Sequence, residues 1–139
     1  MSSSIDPSRE QFSRMMKIAH DGPVHMLNLI RLREKAAYED GRDATGAEAY
    51  KSYGKESAPI FSRVGGKIVH AWDPKLVLIG PEDEAWDIAF IAEYPSAAAF
   101  GEMVKDPAYQ AIVFHRQAAV ADSRLIRLHP REAGSGFGI

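Results

Sequence analysis

Cysteine is absent from the 139 residues, which removes disulfides, thiolate nucleophiles, iron–sulfur clusters and every cysteine-bearing zinc site. A metal would have to be held by His and carboxylates. Yet no two of the five His residues stand at i, i+2 or i, i+4, the spacings that put two ligands on one face of a strand or helix. A surplus of charge is lacking too. Seventeen Lys and Arg against nineteen Asp and Glu leave a net charge of -2, which gives no hold on a phosphate backbone or an anionic membrane. Long apolar runs are missing: none approaches the roughly 18 residues of a membrane span, and MSSSIDPSRE offers no apolar core for a signal peptide. There is no GxGxxG, GxxxxGK[ST] or GxSxG; Gly65-Gly66 reads as a helix stop, and Gly134 to Gly138 lacks the flanking strand and helix that phosphate binding needs. The expectation is a cytoplasmic protein without cofactor or metal, binding neither nucleic acid nor membrane.

What is present is the composition of one soluble domain, with 45% hydrophobic and 26% charged residues. Its expected extent is residues 7–130, between a flexible N-terminus (1–6) and a flexible tail (131–139). Asp6 can cap a helix whose first turn holds Pro7, with Phe12, Met15, Met16 and Ala19 at helical spacing before His20 to Pro23 stop it. VHMLNLIRLR, Val24 to Arg33, reads as a strand with apolar groups on both faces. Thr45 and Glu48 form the two halves of a capping box that opens a second helix. Its inner stripe is Tyr50, Tyr53, Ser57, Ile60 or Phe61, and Val64; Pro59 predicts a kink near Lys55, and Gly65-Gly66 supplies the left-handed stop. Lys67 to Gly80 predicts a strand bent or interrupted at Asp73-Pro74, paired as a hairpin with Trp86 to Tyr94. Ser96 caps a helix carrying Phe100, Met103 and Val104; Asp106-Pro107 ends it and starts another that runs through Ala121, and Ser123 to His129 is the last strand.

The first helix aside, the order is strand, helix, two strands, helix pair, strand. That is an α+β, ferredoxin-like βαββαβ domain with an extra N-terminal helix. Helices cover one face of such a sheet. The other face is also apolar here, and a two-fold copy of the same chain is its expected cover.

Several stretches taken together resemble one family: Tyr50-Lys-Ser-Tyr53, Arg63-Val-Gly-Gly66, Glu93-Tyr-Pro-Ser-Ala97, and Asp106-Pro-Ala-Tyr109-Gln leading to His115-Arg116. They are similar to the DUF1330 domains of the dimeric α/β-barrel superfamily, over about Tyr50 to Arg116. MLNLIRL looks like the first strand of a subgroup with an N-terminal extension, and Met103 departs from the Trp of typical members. The resemblance implies a dimeric α/β barrel. It implies no reaction.

His115 is the first candidate catalytic group. On a helical projection it lies beside Ala108, Ile112 and Ala119, with Asp122 seven residues on as an orienting carboxylate. A structural His, bonded to a backbone carbonyl or to Asp122, explains the same pattern. Asn28 interrupts the row of Val24, Met26 and Ile30, where an amide must orient a ligand or tie down a loop. Tyr50 and Tyr53 present phenols inward; His70 with Trp72, and Trp86 with Phe90 and Tyr94, can line an aromatic pocket or pack a dimer core. Arg116 is expected to pair with Glu93 or Asp122, and Arg31 to form an ion pair at the end of the first strand.

Two functions fit these residues. One is a small cofactor-independent enzyme acting on a hydrophobic or aromatic metabolite in a pocket of each subunit, with His115 and Asp122 as catalytic groups and Asn28, Tyr50, Tyr53, His70, Tyr94 and Arg116 binding the substrate; a haem-degrading variant would need Trp86 and His115 closer together. The other is a non-catalytic module that binds a small ligand or simply dimerises.

Overall fold

The strand expected from Val24 forms because its apolar groups alternate. Val24, Met26 and Ile30 are buried on the face toward the helices, while His25, Leu27 and Leu29 take the other face and are half-buried. A computed structural model describes residues 3–134 and 136–138. Along it run α1 (Arg9–Lys17), β1 (Val24–Leu32), α2 (Gly46–Arg63), β2 (Lys67–Trp72), β3 (Ile88–Tyr94), α3 (Ala97–Lys105), α4 (Pro107–Gln110), α5 (Phe114–Ala119) and β4 (Val120–Leu128). The strands form one antiparallel sheet in the order β2-β3-β1-β4. This is the ferredoxin-like topology, with α1 as the additional helix. Among the described residues no helix is long and apolar enough to cross a membrane.

The capping box forms as expected. The Glu48 amide donates to Thr45 Oγ1 at 3.0 Å, and the Thr45 amide donates to the Glu48 carboxylate at 2.8 Å. Gly46, the next residue, lies against the backbone of Arg33; a Cβ there would stand 2.0 Å from the Arg33 carbonyl oxygen, so only glycine lets α2 start so close to β1. At the other end Gly65 turns the chain at φ +86°. Pro59 does not divide α2, which is one helix through Arg63.

Three expectations about elements are corrected. Ser8, not Asp6, caps α1, its hydroxyl accepting from the Gln11 amide at 3.1 Å. Beyond Trp72 there is no strand: residues 73–80 leave the sheet at Asp73-Pro74, and Leu76, Leu78 and Ile79 are 80%, 85% and 94% exposed. The last helix stops at Ala119, because β4 starts at Val120 and pairs along β1 from there. Asp122 is therefore a strand residue, opposite Arg31, and not a member of the His115 helical stripe.

Within the N-terminal segment, Ser4 is bonded to β4. The Ser4 amide donates to the Asp122 carboxylate at 2.8 Å, and the Ser123 hydroxyl donates to the Ser4 carbonyl at 2.7 Å. Residues 1, 2, 135 and 139, part of the segments expected to be flexible, lie outside the described residues.

The side chains between sheet and helices gather in two clusters. One holds Val24, Ile60, Val64, Tyr94, Met103 and Tyr109; the other holds Ile30, Ala49, Ala118, Ala119 and Val120. Ile30 and Val120 are fully buried, each stabilising the fold by about 1.5–3 kcal/mol. Asn28 sits on β1 between the rows that feed the two clusters.

Candidate functional site

Between the helix-facing side of the sheet and the helices lies a cavity of about 1440 Å3, partly open to solvent. Asn28, Phe90 and Tyr94 line it from the sheet, Tyr50, Tyr53 and Phe61 from α2, Met103 and Tyr109 from α3 and α4, and Arg116 from α5. Ser4 to Pro7, and Phe12, Met15 and Ile18 in and after α1, line another side. Five of the six residues expected to bind a ligand thus meet in one space: Asn28, Tyr50, Tyr53, Tyr94 and Arg116. His70 does not; its ring stacks on Trp72 at 5.5 Å on the opposite face of the sheet. Trp86 lies before β3 begins, under the Arg124 guanidinium at 5.2 Å, and is not part of the wall. Trp72, at the end of β2, borders the cavity's rim.

The wall is rich in phenols. Tyr53 and Tyr109 share a hydrogen bond, oxygen to oxygen, at 2.8 Å. One O–H is spent in that bond, so the pair retains a second donor. Tyr94 donates to the Met103 sulfur at 3.6 Å and stacks on Phe100 at 5.2 Å. Among the described residues the Tyr50 hydroxyl has no hydrogen-bond partner. Burial raises the pKa of Tyr50, Tyr53, Tyr94 and Tyr109, and for Tyr109 the neighbouring Tyr53 adds to it. Arg116 pulls the other way on Tyr50, Tyr53 and Tyr109 without reversing the shift. All four stay protonated at neutral pH and act as hydrogen-bond donors.

Asn28 donates to the Met26 carbonyl at 3.1 Å, which fixes the amide in the cavity wall with its oxygen as acceptor. Arg116, with a side chain 12% exposed, does not pair with Glu93 or Asp122 as expected. It donates to the Ile5 carbonyl and, at 3.4 Å, to the Ser123 hydroxyl, and its nearest carboxylate is Asp6 at 4.0 Å. Arg127, also on the wall, donates to the Met15 carbonyl at 2.6 Å and the Ile18 carbonyl at 3.1 Å, holding the C-terminal end of α1.

His115 lies outside the cavity. Its Nδ1 is 2.6 Å from the Tyr38 hydroxyl and its Nε2 is 2.6 Å from the Glu56 carboxylate. The ring packs against Phe114 at 4.1 Å. Burial raises the Tyr38 pKa against the opposing pull of Arg42, so the phenol stays neutral beside the imidazole. The geometry is a clamp joining the loop before α2, α2 itself and α5. Asp122 is elsewhere, bonded to the amides of Ser4 and Ser123 and to Arg124 at 3.0 Å. Burial alone would raise its pKa, but the Ser4 amide and the Arg124 guanidinium outweigh that and hold the carboxyl below its ordinary value. The pairing of His115 with Asp122 is thus not made. The Arg31 guanidinium does meet Asp122, at 3.9 Å. Among the described residues no three His, Asp or Glu side chains are grouped to hold a metal ion.

An antiparallel sheet in this strand order, helices on one side and a phenol-lined cavity between, defines an α+β protein of the ferredoxin-like class. The chain belongs to the DUF1330 family, a domain of unknown function, whose model matches residues 41–127. The match leaves out β1, although β1 is a central strand of the sheet. The crystal structure of methylated RPA0582 protein is 57% identical, with a TM-score of 0.93 over 96% of this chain and 99% of that one. RPA0582, a protein of unknown function from Rhodopseudomonas palustris, is similar again in a second crystal structure, 56% identical with a TM-score of 0.90, over 94% and 99% of the two chains. SnoaB, a cofactor-independent oxygenase from Streptomyces nogalater, shares the fold at 17% identity and a TM-score of 0.53, over 82% of this chain and 98% of its own. A putative antibiotic biosynthesis monooxygenase from Caulobacter crescentus does so at 13% identity and 0.54, over 81% and 92%. No curated protein matches the chain.

Proposed function

We propose that the cavity takes up a hydrophobic or aromatic metabolite and that the protein is a small enzyme acting on it without a cofactor. The observation that carries this is the convergence of Asn28, Tyr50, Tyr53 and Tyr109 on one cavity large enough for a molecule of several rings. Apolar walls weaken water's competition, and phenols kept neutral by burial can donate to a carbonyl that gains negative charge during reaction. The proton-transfer role expected of His115 does not fit this reading, because its imidazole faces Tyr38 and Glu56. The chemistry supported is stabilisation, by fixed donors, of negative charge on the oxygen of a metabolite that enters already ionised. SnoaB, a cofactor-independent oxygenase, offers an analogy of fold only.

The same turning away of His115 favours a second reading, a module that binds the metabolite without converting it. Metal-stripped protein incubated with hydroxylated naphthoquinones and anthrones separates the two. Turnover that falls about 10–100-fold in Tyr53→Phe, with binding retained, supports the enzyme. Binding without turnover across the panel replaces it with the module.

The proposal includes a second copy of the chain. The sheet face away from the helices carries Leu27, Leu29 and Ile91, and at its edges Trp72 and Ile126 are 53% and 44% exposed. Lys67 with Glu93 at 3.9 Å and Arg124 with Asp122 at 3.0 Å place both signs of charge on this face, which suits a two-fold contact with itself. Residues 76–79 add further exposed apolar groups beside β2. Sedimentation at tens of micromolar is expected to give a dimer; a monomer there overturns this part of the reading.

A further inference from the structure

The charge around the cavity is lopsided in a chain whose total is -2. Five cationic residues line it, Arg14, Lys17, Arg116, Arg124 and Arg127, against Asp6 alone. Arg124 is neutralised from outside by Asp122 and Glu84. Among the described residues the other four are not balanced in this way. Arg127 spends its bonds on backbone carbonyls and on His129, with no carboxylate among its partners in the described residues. Arg116 is largely buried, and the one carboxylate near it, Asp6, stands 4.0 Å away with half its side chain in solvent. A buried cation with so weak a counter-ion is costly unless something else supplies negative charge.

Arg116 shares its end of the cavity with the phenols. Arg116 and Tyr50 both line the cavity, and Tyr50 packs on the same cluster as Ile5, whose carbonyl Arg116 holds, so guanidinium and phenol stand on neighbouring parts of one wall. Tyr50 has a hydroxyl without a partner among the described residues. A guanidinium and a free phenol donor beside each other recognise an oxyanion, the first by charge and the second by direction. The remaining wall, from Phe61 and Phe90 to Tyr94 and Met103, is apolar or aromatic and suits the body of the same molecule.

We infer that the ligand of this cavity is an aromatic acid, a ring system bearing one carboxylate or acidic phenolate that is held by Arg116 and Tyr50. This rests on the cavity being a ligand site and specifies the chemistry of what enters it. The cations of α1, Arg14 and Lys17, stand at the rim and attract the anion before it enters, an effect that salt screens.

Calorimetric titration with three probes that share one naphthalene ring tests it: 2-naphthoate, 2-naphthol and methyl 2-naphthoate, near neutral pH and at two salt concentrations. The acid is expected to bind at least tenfold more tightly than the ester and to weaken as salt is raised, while the ester does not change. Tyr50→Phe removes no hydrogen bond among the described residues, so the fold is kept; it is expected to weaken the acid about tenfold and the ester, whose carbonyl accepts a weaker neutral bond, by less. Arg116→Gln is expected to remove the preference for the acid, with thermal unfolding followed alongside because Arg116 also holds the Ile5 carbonyl. Equal binding of acid and ester overturns the inference while the cavity remains a ligand site. Tighter binding of 2-naphthol than of both overturns the assignment of a charged group. Binding of none of the three, with larger rings bound, also overturns it; failure of every aromatic probe removes the ligand site itself.

Discussion

Raising the pH from about 9 to about 11 is expected to cost the protein about 4 kcal/mol of folding free energy. In the unfolded chain the phenols ionise near pH 10. In the folded chain burial, first, and the neighbouring Tyr53 phenol, second, push the pKa values of Tyr50, Tyr94 and Tyr109 far above that. A raised folded pKa means a contribution fully present below the unfolded value and lost as pH climbs toward the folded one. Each of the three phenols then favours the unfolded state by about 1.4 kcal/mol at one pH unit above 10, and their total is a large part of the 5–15 kcal/mol typical of a domain. Denaturant unfolding at a series of pH values, with phenolate absorbance read in parallel, checks this. The buried phenolates should appear only as the protein unfolds. Their appearance near pH 10 in folded protein would show that water already fills the cavity around them.

Replacing His115 by Ala is expected to destabilise the protein by about 2–4 kcal/mol and to leave ligand binding unaltered. The ring, 9% exposed at its side chain, is the middle of a bridge from Tyr38 to Glu56. Without it the Tyr38 hydroxyl loses its partner, and a hole opens beside Phe114. Glu56 is 45% exposed, so solvent screens its half of the bridge and most of the loss comes from Tyr38 and from packing. Tyr38→Phe, which keeps the ring and removes only the hydroxyl, should therefore cost less, about 1 kcal/mol. Thermal and denaturant unfolding measure both. Unchanged stability combined with lost turnover would return His115 to catalysis.

Much of the fold was legible because its signals are local. The Thr45–Glu48 capping box, the Gly65 stop and the two-sided β1 each follow from residues within one turn or one pleat, and each stands as read. The cavity was legible for a related reason. Tyr50 and Tyr53 share a helical stripe, and Asn28 shares a pleat face with Met26, so whatever the sheet and α2 enclose must include them. His115 and Asp122 failed at a boundary. Seven residues span two helical turns only if the helix continues, and β4 takes over at Val120. The true partners of His115 were out of reach, since Tyr38 is 77 residues away and comes from a loop with no periodicity to read. Arg127 was missed for the same reason: nothing local shows that a strand side chain will cap α1, 112 residues earlier.

That the space under α2 is a ligand site is tested most directly at Gly54. This residue is exposed where the cavity opens, and a Cβ placed on it meets nothing within 4 Å, so a large side chain can stand across the mouth without displacing backbone. Gly54→Trp also removes a glycine from a helix interior, which by itself stabilises α2 by about 0.5 kcal/mol. Titration of an aromatic probe into the parent chain and into Gly54→Trp, with thermal unfolding of each, is the measurement. One probe bound per chain in the parent, and binding weakened at least tenfold in a variant that unfolds at the same or a higher temperature, is the predicted result. Equal affinity in the two proteins would contradict it.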